Sequence, residues 1–327
     1  MILRFVPRAL ALLTLTGLLA VQTAVQAAAP TVDPAIPAYK KVAGLKGNAN
    51  SIGSDTMNNL MTLWLEAFRA LYPQVNIQIE GKGSSTAPPA LIEGTAQFGP
   101  MSRPMKSSEV DKFEAKHGFA PLGIRTSLDA LAVFVPADNK IPSLGLDQVD
   151  AIFSRTRNRG HAAINTWSEL LPGSSIASKP ISRYGRNSAS GTYGYFKEEA
   201  LKKGDFLDSV KEQPGSASVV QAVAADRAGI GYSGIGYSTS GVRAVPLSEA
   251  KGGKAYSATL ENVLSGDYPL ARPLLLYVAA NPGKPMDPLV REFLRFVLSK
   301  EGQQIVIKDG YLPLSAAMVK QELAKLK

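Results

Sequence analysis

The amino-acid sequence predicts an α/β fold, because patterns typical of strands and helices alternate along the chain. Residues 75–80 alternate apolar and polar side chains, which is the period of a strand with one face buried. Directly before them, apolar residues between positions 60 and 71 recur at helical spacing. Such alternation favours a sheet packed against helices rather than an all-helical or all-strand domain.

Two further apolar runs have the character of strands covered on both faces. LDALAVFVP at 128–136 and RPLLLYVA at 272–279 are almost continuously apolar and are bounded by proline. Nearer the C-terminus, Asp287 is placed to cap a helix whose first turn begins with Pro288, where a missing N–H leaves no bond unmade. We expect that helix to pack on the body of the protein through one apolar face.

The composition is that of a globular chain with a sizeable core. Its 327 residues are 45% hydrophobic and 19% charged, and a chain of this length suits two domains of roughly 150 residues each. Cysteine is absent and histidine is represented only by His117 and His161, which excludes disulfides, thiolate nucleophiles and sulfur-based metal sites. We therefore expect no metal, no cofactor and no hydrolytic chemistry, and so a protein that is not an enzyme.

The first 27 residues have the pattern of an export signal peptide. Arg4 and Arg8 precede an apolar run from Ala9 to Ala20, and small residues follow up to a predicted cleavage point near Ala28. A membrane anchor is the alternative, but it needs about 20 apolar residues and fewer are present. Removal of this signal takes the formal charge from +9 to +7 on an exported chain.

The positive charge favours an anionic ligand or surface. It is spread along the chain, with no run of five like charges and no basic stripe interleaved with aromatic residues. Nucleic acid is therefore not expected as a partner.

A loop rich in glycine and small hydroxyl residues recurs three times, each time ahead of a predicted helix. The segments are SIGSDTMNNL at 51–60, EGKGSSTAPPALI at 80–92 and YGRNSASGTYGYFKEEAL at 184–201. Backbone N–H groups at a helix start, joined by serine and threonine hydroxyls, make a ready site for a tetrahedral oxyanion. Each loop alone is also explained as a capped helix start, with Thr86 as the cap in the second. Three together favour an oxyanion site.

Two arginines stand beside these loops. Arg186 lies inside the third loop, and Arg103 follows an apolar strand end in QFGPMSRPM at 97–105. A guanidinium can give two parallel charge-assisted hydrogen bonds to one oxyanion. A solvated or ion-paired arginine is the ordinary alternative, and the placement favours a site role more strongly for Arg186 than for Arg103.

These loops, with several longer blocks, resemble the phosphate-binding proteins of the phosphate-specific transport (PstS) family, the solute receptors of an ABC importer. The most specific part is the R-x-x-x-S-G-T pattern RNSASGT at 186–192, followed by the long block around Trp167 at 144–170. The remaining matching segments are spread over most of the mature chain: GSDTM (53–57), GKGSS (81–85), FGPMSR (98–103), LDALAVFV (128–135), GIGYSGIGY (229–237), EGQQIV (301–306) and GYLPL (310–314).

The resemblance implies a two-lobed periplasmic-binding-protein fold of type II, with two crossing strands at 131–136 and 273–278 as the hinge. It implies a discontinuous first lobe at 28–132 plus 272–327, and a second lobe at 133–271. It also implies a monomeric receptor in the periplasm that closes around inorganic phosphate and passes it to an ABC permease in the inner membrane.

The same resemblance supplies candidate phosphate ligands, which fall in the three loops already singled out. The residues that it implies are Thr56, Ser84, Arg186, Ser190 and Thr192, with the N–H groups of Met57 and Gly191. Ser54, Ser102 and Arg103 join them because they lie in matching segments.

One departure from the family pattern bears on the choice of anion. Several relatives place an aspartate just after the FG-containing strand, where it accepts the proton of bound phosphate and so rejects sulfate; this sequence has Ser102 and Arg103 there. A proton acceptor is required for that discrimination, because donors alone hold both anions equally well. Asp129 and Asp55 are the available carboxylates. We favour Asp129, because Asp55 also suits a cap of its own helix.

The expected function is an exported phosphate receptor that makes and breaks no bond. A secreted phosphatase with a serine or threonine nucleophile is an alternative, although the scarcity of histidine and the lack of a cluster of carboxylates and histidines argue against it. A third candidate is a surface or matrix adhesin on the same fold, and a fourth is a receptor for another oxyanion such as sulfate. Saturable binding in the cleft would separate a receptor from an adhesin.

Overall fold

The computed structural model describes residues 29–326, so the predicted signal peptide at 1–27 lies outside the described residues. The strands are β1 (Gly47–Ile52), β2 (Val75–Glu80), β3 (Gly99–Met101), β4 (Leu122–Pro136), β5 (Leu144–Gly145), β6 (Ser182–Arg186), β7 (Lys211–Gln213), β8 (Gly229–Gly234), β9 (Val242–Ala244), β10 (Leu247–Ser248) and β11 (Ala271–Val278). The helices are α1 (Asn58–Leu71), α2 (Ala87–Ile92), α3 (Ser107–His117), α4 (Leu146–Phe153), α5 (Gly191–Tyr195), α6 (Ser216–Ala225), α7 (Leu260–Leu264), α8 (Pro288–Val297), α9 (Lys300–Lys308) and α10 (Ala316–Ala324).

A seven-stranded sheet runs through the molecule in the order β3-β11-β4-β8-β6-β7, with β9 also paired to β4. The long strand β4 changes partners along its length. Residues 122–130 pair antiparallel with β11, and residues 131–136 pair antiparallel with β8 and β9. The chain returns at the same point, where the N–H of Leu131 donates to the carbonyl of Leu270 at 3.0 Å. The expected two-lobed α/β architecture is therefore present, with β4 and the start of β11 joining the lobes.

We call the part that contains β1–β3, β11, α1–α3 and α8–α10 the first lobe, and the part that contains β5–β10 and α4–α7 the second lobe. The strand β4 belongs to both, and its partners change between Ala130 and Leu131. The lobe boundaries at 132/133 and 271/272 stay a prediction.

The strongly patterned segments form the elements that the sequence predicts. Residues 75–80 are β2, and the helical spacing before them belongs to α1. The side chain of Asp287 caps α8 by accepting from the N–H groups of Leu289 and Val290 at 2.9 and 3.1 Å. Thr86 stands at the N-cap position of α2, as predicted, but its side chain makes no cap bond, because its hydroxyl donates to the carbonyl of Gly83 at 2.8 Å.

Aromatic side chains form much of the packing behind the polar loops. In the first lobe, Phe68 of α1 lies edge-on to Phe293 of α8, with ring centroids 5.3 Å apart. In the second, Phe196 stacks on Tyr232 at 3.9 Å. All four rings are fully buried, and burial of such a side chain stabilises the fold by about 1.5–3 kcal/mol. The loops that leave these elements are thereby held in fixed positions.

None of the helices between residues 29 and 326 combines the length and the apolar character that a bilayer crossing needs.

Candidate functional site

The three hydroxyl-rich loops meet at one place between the lobes. The Oγ1 atoms of Thr56 and Thr192 lie 2.9 Å apart and join the first loop to the third. The N–H of Ser85 donates to the carbonyl of Ala189 at 3.1 Å and joins the second to the third. Thr56, Ser84 and Thr192 are all buried. The segments singled out in the sequence therefore face one buried polar cluster built from both lobes.

Two glycines allow the loops to come this close. A Cβ on Gly83, whose φ is +112°, would lie 2.6 Å from the carbonyl oxygen of Ala189. A Cβ on Gly191 would lie 2.7 Å from Ser102 Oγ and would also collide with Ser84 Oγ. A side chain at Gly83 would have to displace backbone of the opposite lobe, and one at Gly191 would displace two serine side chains of the opposite lobe.

A chain of three hydroxyls crosses the cluster between two arginines. Arg272 Nη2 donates to Thr192 Oγ1 at 2.9 Å, and Arg186 Nη1 donates to Ser216 Oγ at 2.6 Å. Between these ends, Thr56 Oγ1 lies 2.9 Å from Thr192 Oγ1 and 3.3 Å from Ser216 Oγ. Arginine only donates, so the three hydroxyl protons have just two contacts among themselves to occupy. At least one hydroxyl proton therefore remains to be donated to an acceptor other than these three hydroxyls.

A second cluster of three hydroxyls also has one proton more than its internal contacts can take up. Ser54 Oγ donates to Ser102 Oγ at 3.1 Å, and Ser84 Oγ lies 3.2 Å from Ser102 Oγ. The N–H of Ser102 donates to Ser84 Oγ at 3.0 Å. The three hydroxyl protons again have only two contacts among themselves. One hydroxyl of this cluster therefore also has a proton to donate to an acceptor outside the cluster. Both groups are thus suited to a ligand that only accepts hydrogen bonds.

Arg186 is the arginine that stands at the third loop. It is buried, and its Nη2 lies 3.2 Å from Asp55 Oδ2 in the first lobe. Burial lowers the pKa of the Arg186 guanidinium, and the nearby Asp55 charge opposes that shift. Within residues 29–326, its Nε has no hydrogen-bond partner. The cation is therefore held in place while one of its donors remains unused.

Asp55 reaches across the cleft instead of capping its own helix. Its Oδ2 accepts the N–H of Ser216, at the start of α6 in the second lobe, at 2.8 Å. The same oxygen pairs with Arg186. The alternative that Asp55 serves only as a local cap is therefore wrong, and one carboxylate oxygen connects the first lobe to two groups of the second.

Asp129, the favoured proton acceptor, is paired with an arginine that sequence reasoning missed. Arg272 donates to Asp129 Oδ2 through Nε at 2.9 Å and Nη2 at 2.7 Å. The other oxygen, Oδ1, accepts the N–H of Ile235 at 3.0 Å. The sequence held one signal for this pair, a lone charge at the start of the apolar run RPLLLYVA. Both oxygens of Asp129 already hold donors.

Arg103 lies at the edge of the second loop, where its Nη2 donates to Ser85 Oγ at 3.3 Å, but its guanidinium is paired with an acid, which corrects the predicted ligand role. Its Nη2 and Nη1 donate to the two carboxylate oxygens of Glu109 at 2.7 and 2.8 Å, and Nη1 also donates to the carbonyl of Pro104 at 2.8 Å. The pairing with Arg103 and hydrogen bonding from Lys106 lower the pKa of Glu109 against the opposing effect of burial, which is the largest single influence. The ion-paired alternative for Arg103 therefore describes it better than a ligand role.

The remaining candidates lie at the starts of the helices. Ser190 Oγ accepts the N–H groups of Thr192 and Tyr193 at 3.1 and 3.4 Å, so Ser190 caps α5 and keeps its own proton for another acceptor. The N–H of Met57 donates to the carbonyl of Ser54 at 3.2 Å within the turn that precedes α1. Gly191 packs closely against Ser84 and Ser102.

No group of three or more histidine, aspartate or glutamate side chains in residues 29–326 is arranged to hold a metal ion.

The lobes, the crossing strands and the donor-lined cleft define a two-lobed binding protein. A family model for the PBP superfamily domain matches residues 25–301. The chain is also 54% identical over 300 residues to the phosphate-binding protein PstS of Pseudomonas aeruginosa, covering 91% of this chain and 93% of that protein. A PstS of Staphylococcus haemolyticus is 31% identical over 288 residues, 86% of each chain. The chain belongs to the PstS family within the PBP superfamily.

Solved structures show the same architecture. A putative phosphate ABC transporter substrate-binding protein with bound phosphate, from Clostridium perfringens, aligns with a TM-score of 0.69 at 26% identity, covering 82% of this chain and all of that one. An ABC-type phosphate transport receptor from Vibrio cholerae shares the fold, with a TM-score of 0.63 at 20% identity over 81% of this chain and all of that one.

Proposed function

We propose that this chain is an exported receptor that captures inorganic phosphate between its lobes and delivers it to an ABC importer. The observation that carries the proposal is the surplus of hydroxyl protons where the three loops meet. Phosphate presents several acceptor oxygens in a small volume, which matches two hydroxyl groups that each have a proton to donate. The relatives support this, since the Pseudomonas protein is named for phosphate binding and the Clostridium structure holds phosphate.

The proposed ligands are the donors of this cluster. Arg186 supplies the charge, and its Nε–H has no hydrogen-bond partner in the described part of the chain. The neutral donors are the hydroxyls of Ser54, Thr56, Ser84, Ser102, Ser190 and Thr192 and the N–H groups of Met57 and Gly191. Charge-assisted bonds from a guanidinium are roughly twice as strong as neutral ones, so Arg186 should dominate the affinity.

Rejection of sulfate requires a carboxylate that accepts the proton of phosphate. The sequence alone favours Asp129 for this role, but the geometry favours Asp55. Both oxygens of Asp129 hold donors from Arg272 and Ile235, whereas the side-chain hydrogen bond and the ion pair of Asp55 within residues 29–326 both involve Oδ2. Asp55 therefore has one oxygen, Oδ1, left to receive a proton.

The proposal includes the setting in which the receptor works. The pattern at 1–27 directs the chain out of the cytoplasm, and we place the mature protein in the periplasm as a monomer. Its partners are inorganic phosphate and an ABC permease in the inner membrane, and nucleic acid is not among them. The chain binds and releases its ligand without chemistry, in keeping with a family of binding proteins.

Calorimetric titration of the mature chain, after removal of any co-purified ion, tests the proposal. We expect saturable binding of one phosphate per chain and much weaker binding of sulfate. Equal affinity for both anions would replace phosphate with a general oxyanion as the ligand. Turnover of a chromogenic phosphate ester would favour the phosphatase, and absence of any saturable anion binding would favour the adhesin.

A further inference from the structure

Arg272 occupies the point where the two lobes join. It lies at the start of β11 and is in register with Asp129 on β4, next to the position at which β4 changes partners. Both side chains are fully buried. Charged residues are almost never buried completely unless they are paired, so this arrangement calls for a specific reason.

The Arg272 guanidinium contacts the crossing strand and residues of both lobes. Nε and Nη2 bind Asp129 on the crossing strand, Nη1 donates to the carbonyl of Ser102 in the first lobe at 2.8 Å, and Nη2 also donates to Thr192 Oγ1 in the second lobe at 2.9 Å. The ring of Tyr195 lies 5.4 Å from its Cζ and covers it. One rigid planar group therefore fixes the positions of residues from both lobes at once.

We infer that Arg272 is a positioning residue for anion binding, and that Asp129 is its counterion and does not contact the anion. Because Nη2 donates to Thr192 Oγ1, that hydroxyl cannot direct its own proton toward Arg272. The proton is turned toward Thr56 and the cleft. The bond from Nη1 fixes the carbonyl of Ser102 and with it the peptide whose side chain belongs to the second hydroxyl group.

Asp129 can affect anion binding in two ways. If Asp129 accepted the proton of the ligand, its loss would change the preference between phosphate and sulfate. If it holds Arg272, its loss releases the guanidinium and weakens both anions together. Removing one partner also leaves an uncompensated buried charge, which destabilises the fold strongly, so single substitutions alone do not separate position from stability.

The inference rests on the proposed function, and the test uses the mature chain with the double substitution Arg272→Gln/Asp129→Asn beside each single one. The neutral pair restores charge balance, so its melting temperature should return close to that of the wild type. Its phosphate Kd should stay at least about tenfold weaker, which corresponds to losing roughly one hydrogen bond. Arg125→Gln/Glu322→Gln, which removes another pair that begins on β4 at 2.6 Å, is the matched control and should leave Kd unchanged.

Recovery of both the melting temperature and the phosphate Kd in the neutral pair would overturn the inference, since the pair would then be only structural. So would a loss of phosphate preference over sulfate in Asp129→Asn with affinity for sulfate unchanged. If the wild type binds sulfate but not phosphate, the proposed ligand fails and the sulfate Kd decides the inference by the same criterion. Binding of neither anion by the wild type overturns both.

Discussion

The cleft contains two arginine–aspartate pairs that differ in almost every physical respect. Arg272 and Asp129 join neighbouring strands through two contacts of 2.7 and 2.9 Å, and neither side chain is exposed. Arg186 and Asp55 join opposite lobes through one contact of 3.2 Å, and the Asp55 side chain is 25% exposed. In the first pair both carboxylate oxygens accept N–H donors, whereas in the second, among residues 29–326, Arg186 Nε and Asp55 Oδ1 have no hydrogen-bond partner.

This difference indicates a division of work between the pairs. A buried pair whose two carboxylate oxygens already accept three N–H donors has little left to offer a ligand, and it fixes the geometry around it. A pair held by one long contact, with spare donor and acceptor atoms, can exchange that contact for a bond to an anion. The cross-lobe position of the second pair also means that it forms fully only when the lobes approach each other.

The largest expected effect on phosphate affinity comes from removing Arg186, the cation of the Arg186–Asp55 pair. Arg186→Ala should weaken phosphate binding by about 3 kcal/mol, because a charged donor to an ion contributes about 1.5–3 kcal/mol and this one can give more than one bond. Calorimetry measures the change. Arg227→Ala, an exposed arginine of the same lobe that does not line the cavity beside Arg186, is the control and should bind as the wild type does. Unchanged affinity in Arg186→Ala would remove that residue from the site.

A smaller effect, on the preference for phosphate over sulfate, is expected from changing Asp55, the anion of the Arg186–Asp55 pair. Asp55→Asn keeps an oxygen for the N–H of Ser216 but cannot accept a proton as a carboxylate does. Phosphate affinity should fall about tenfold, as for one charge-assisted hydrogen bond. Sulfate affinity should rise, because a like charge beside the anion has gone.

Competition titrations of phosphate against sulfate measure this change in preference. Asp208→Asn, a fully exposed acid, serves as the control for loss of one negative charge. A collapse of preference in Asp129→Asn together with none in Asp55→Asn would restore Asp129 as the proton acceptor and contradict the division between the pairs.

The parts of the site that sequence reasoning found are those with a local signature. Glycine and hydroxyl residues ahead of a helix are adjacent in the chain, so the loops around Thr56, Ser84 and Ser190 are visible as patterns. Likewise β4 and β11 follow from continuous apolar runs. Each of these depends on neighbours a few residues away, which a single sequence displays directly.

Two of the parts that it missed depend on partners far apart in the chain. Arg272 is 143 residues from Asp129, and Ser216 is 161 residues from Asp55, so no local spacing connects them. Arg103 was given a ligand role because it lies near the loops, but Glu109 six residues later neutralises it. Proximity in sequence located the donors, and only the fold could decide which charges were already satisfied.

The smallest expected effect concerns Asp309, an acid near the lobe contact that, within residues 29–326, has no arginine or lysine partner. Asn59 donates to its carboxylate, and its carbonyl lies 2.9 Å from where a Cβ on Gly236 of the second lobe would stand. Burial raises the pKa of Asp309 to about 6, against the opposing hydrogen bond from Asn59.

A raised pKa in the folded state means that the native protein holds this proton more tightly than the unfolded chain does. The contribution of Asp309 to stability is therefore complete below the ordinary aspartate pKa and is lost as pH rises through about 6. Urea midpoints between pH 4 and pH 7 should fall more for the wild type than for Asp309→Asn. Parallel curves of urea midpoint against pH for the wild type and Asp309→Asn would show that Asp309 is well solvated. The charges near the cleft that affect stability would then be confined to the two arginine–aspartate pairs.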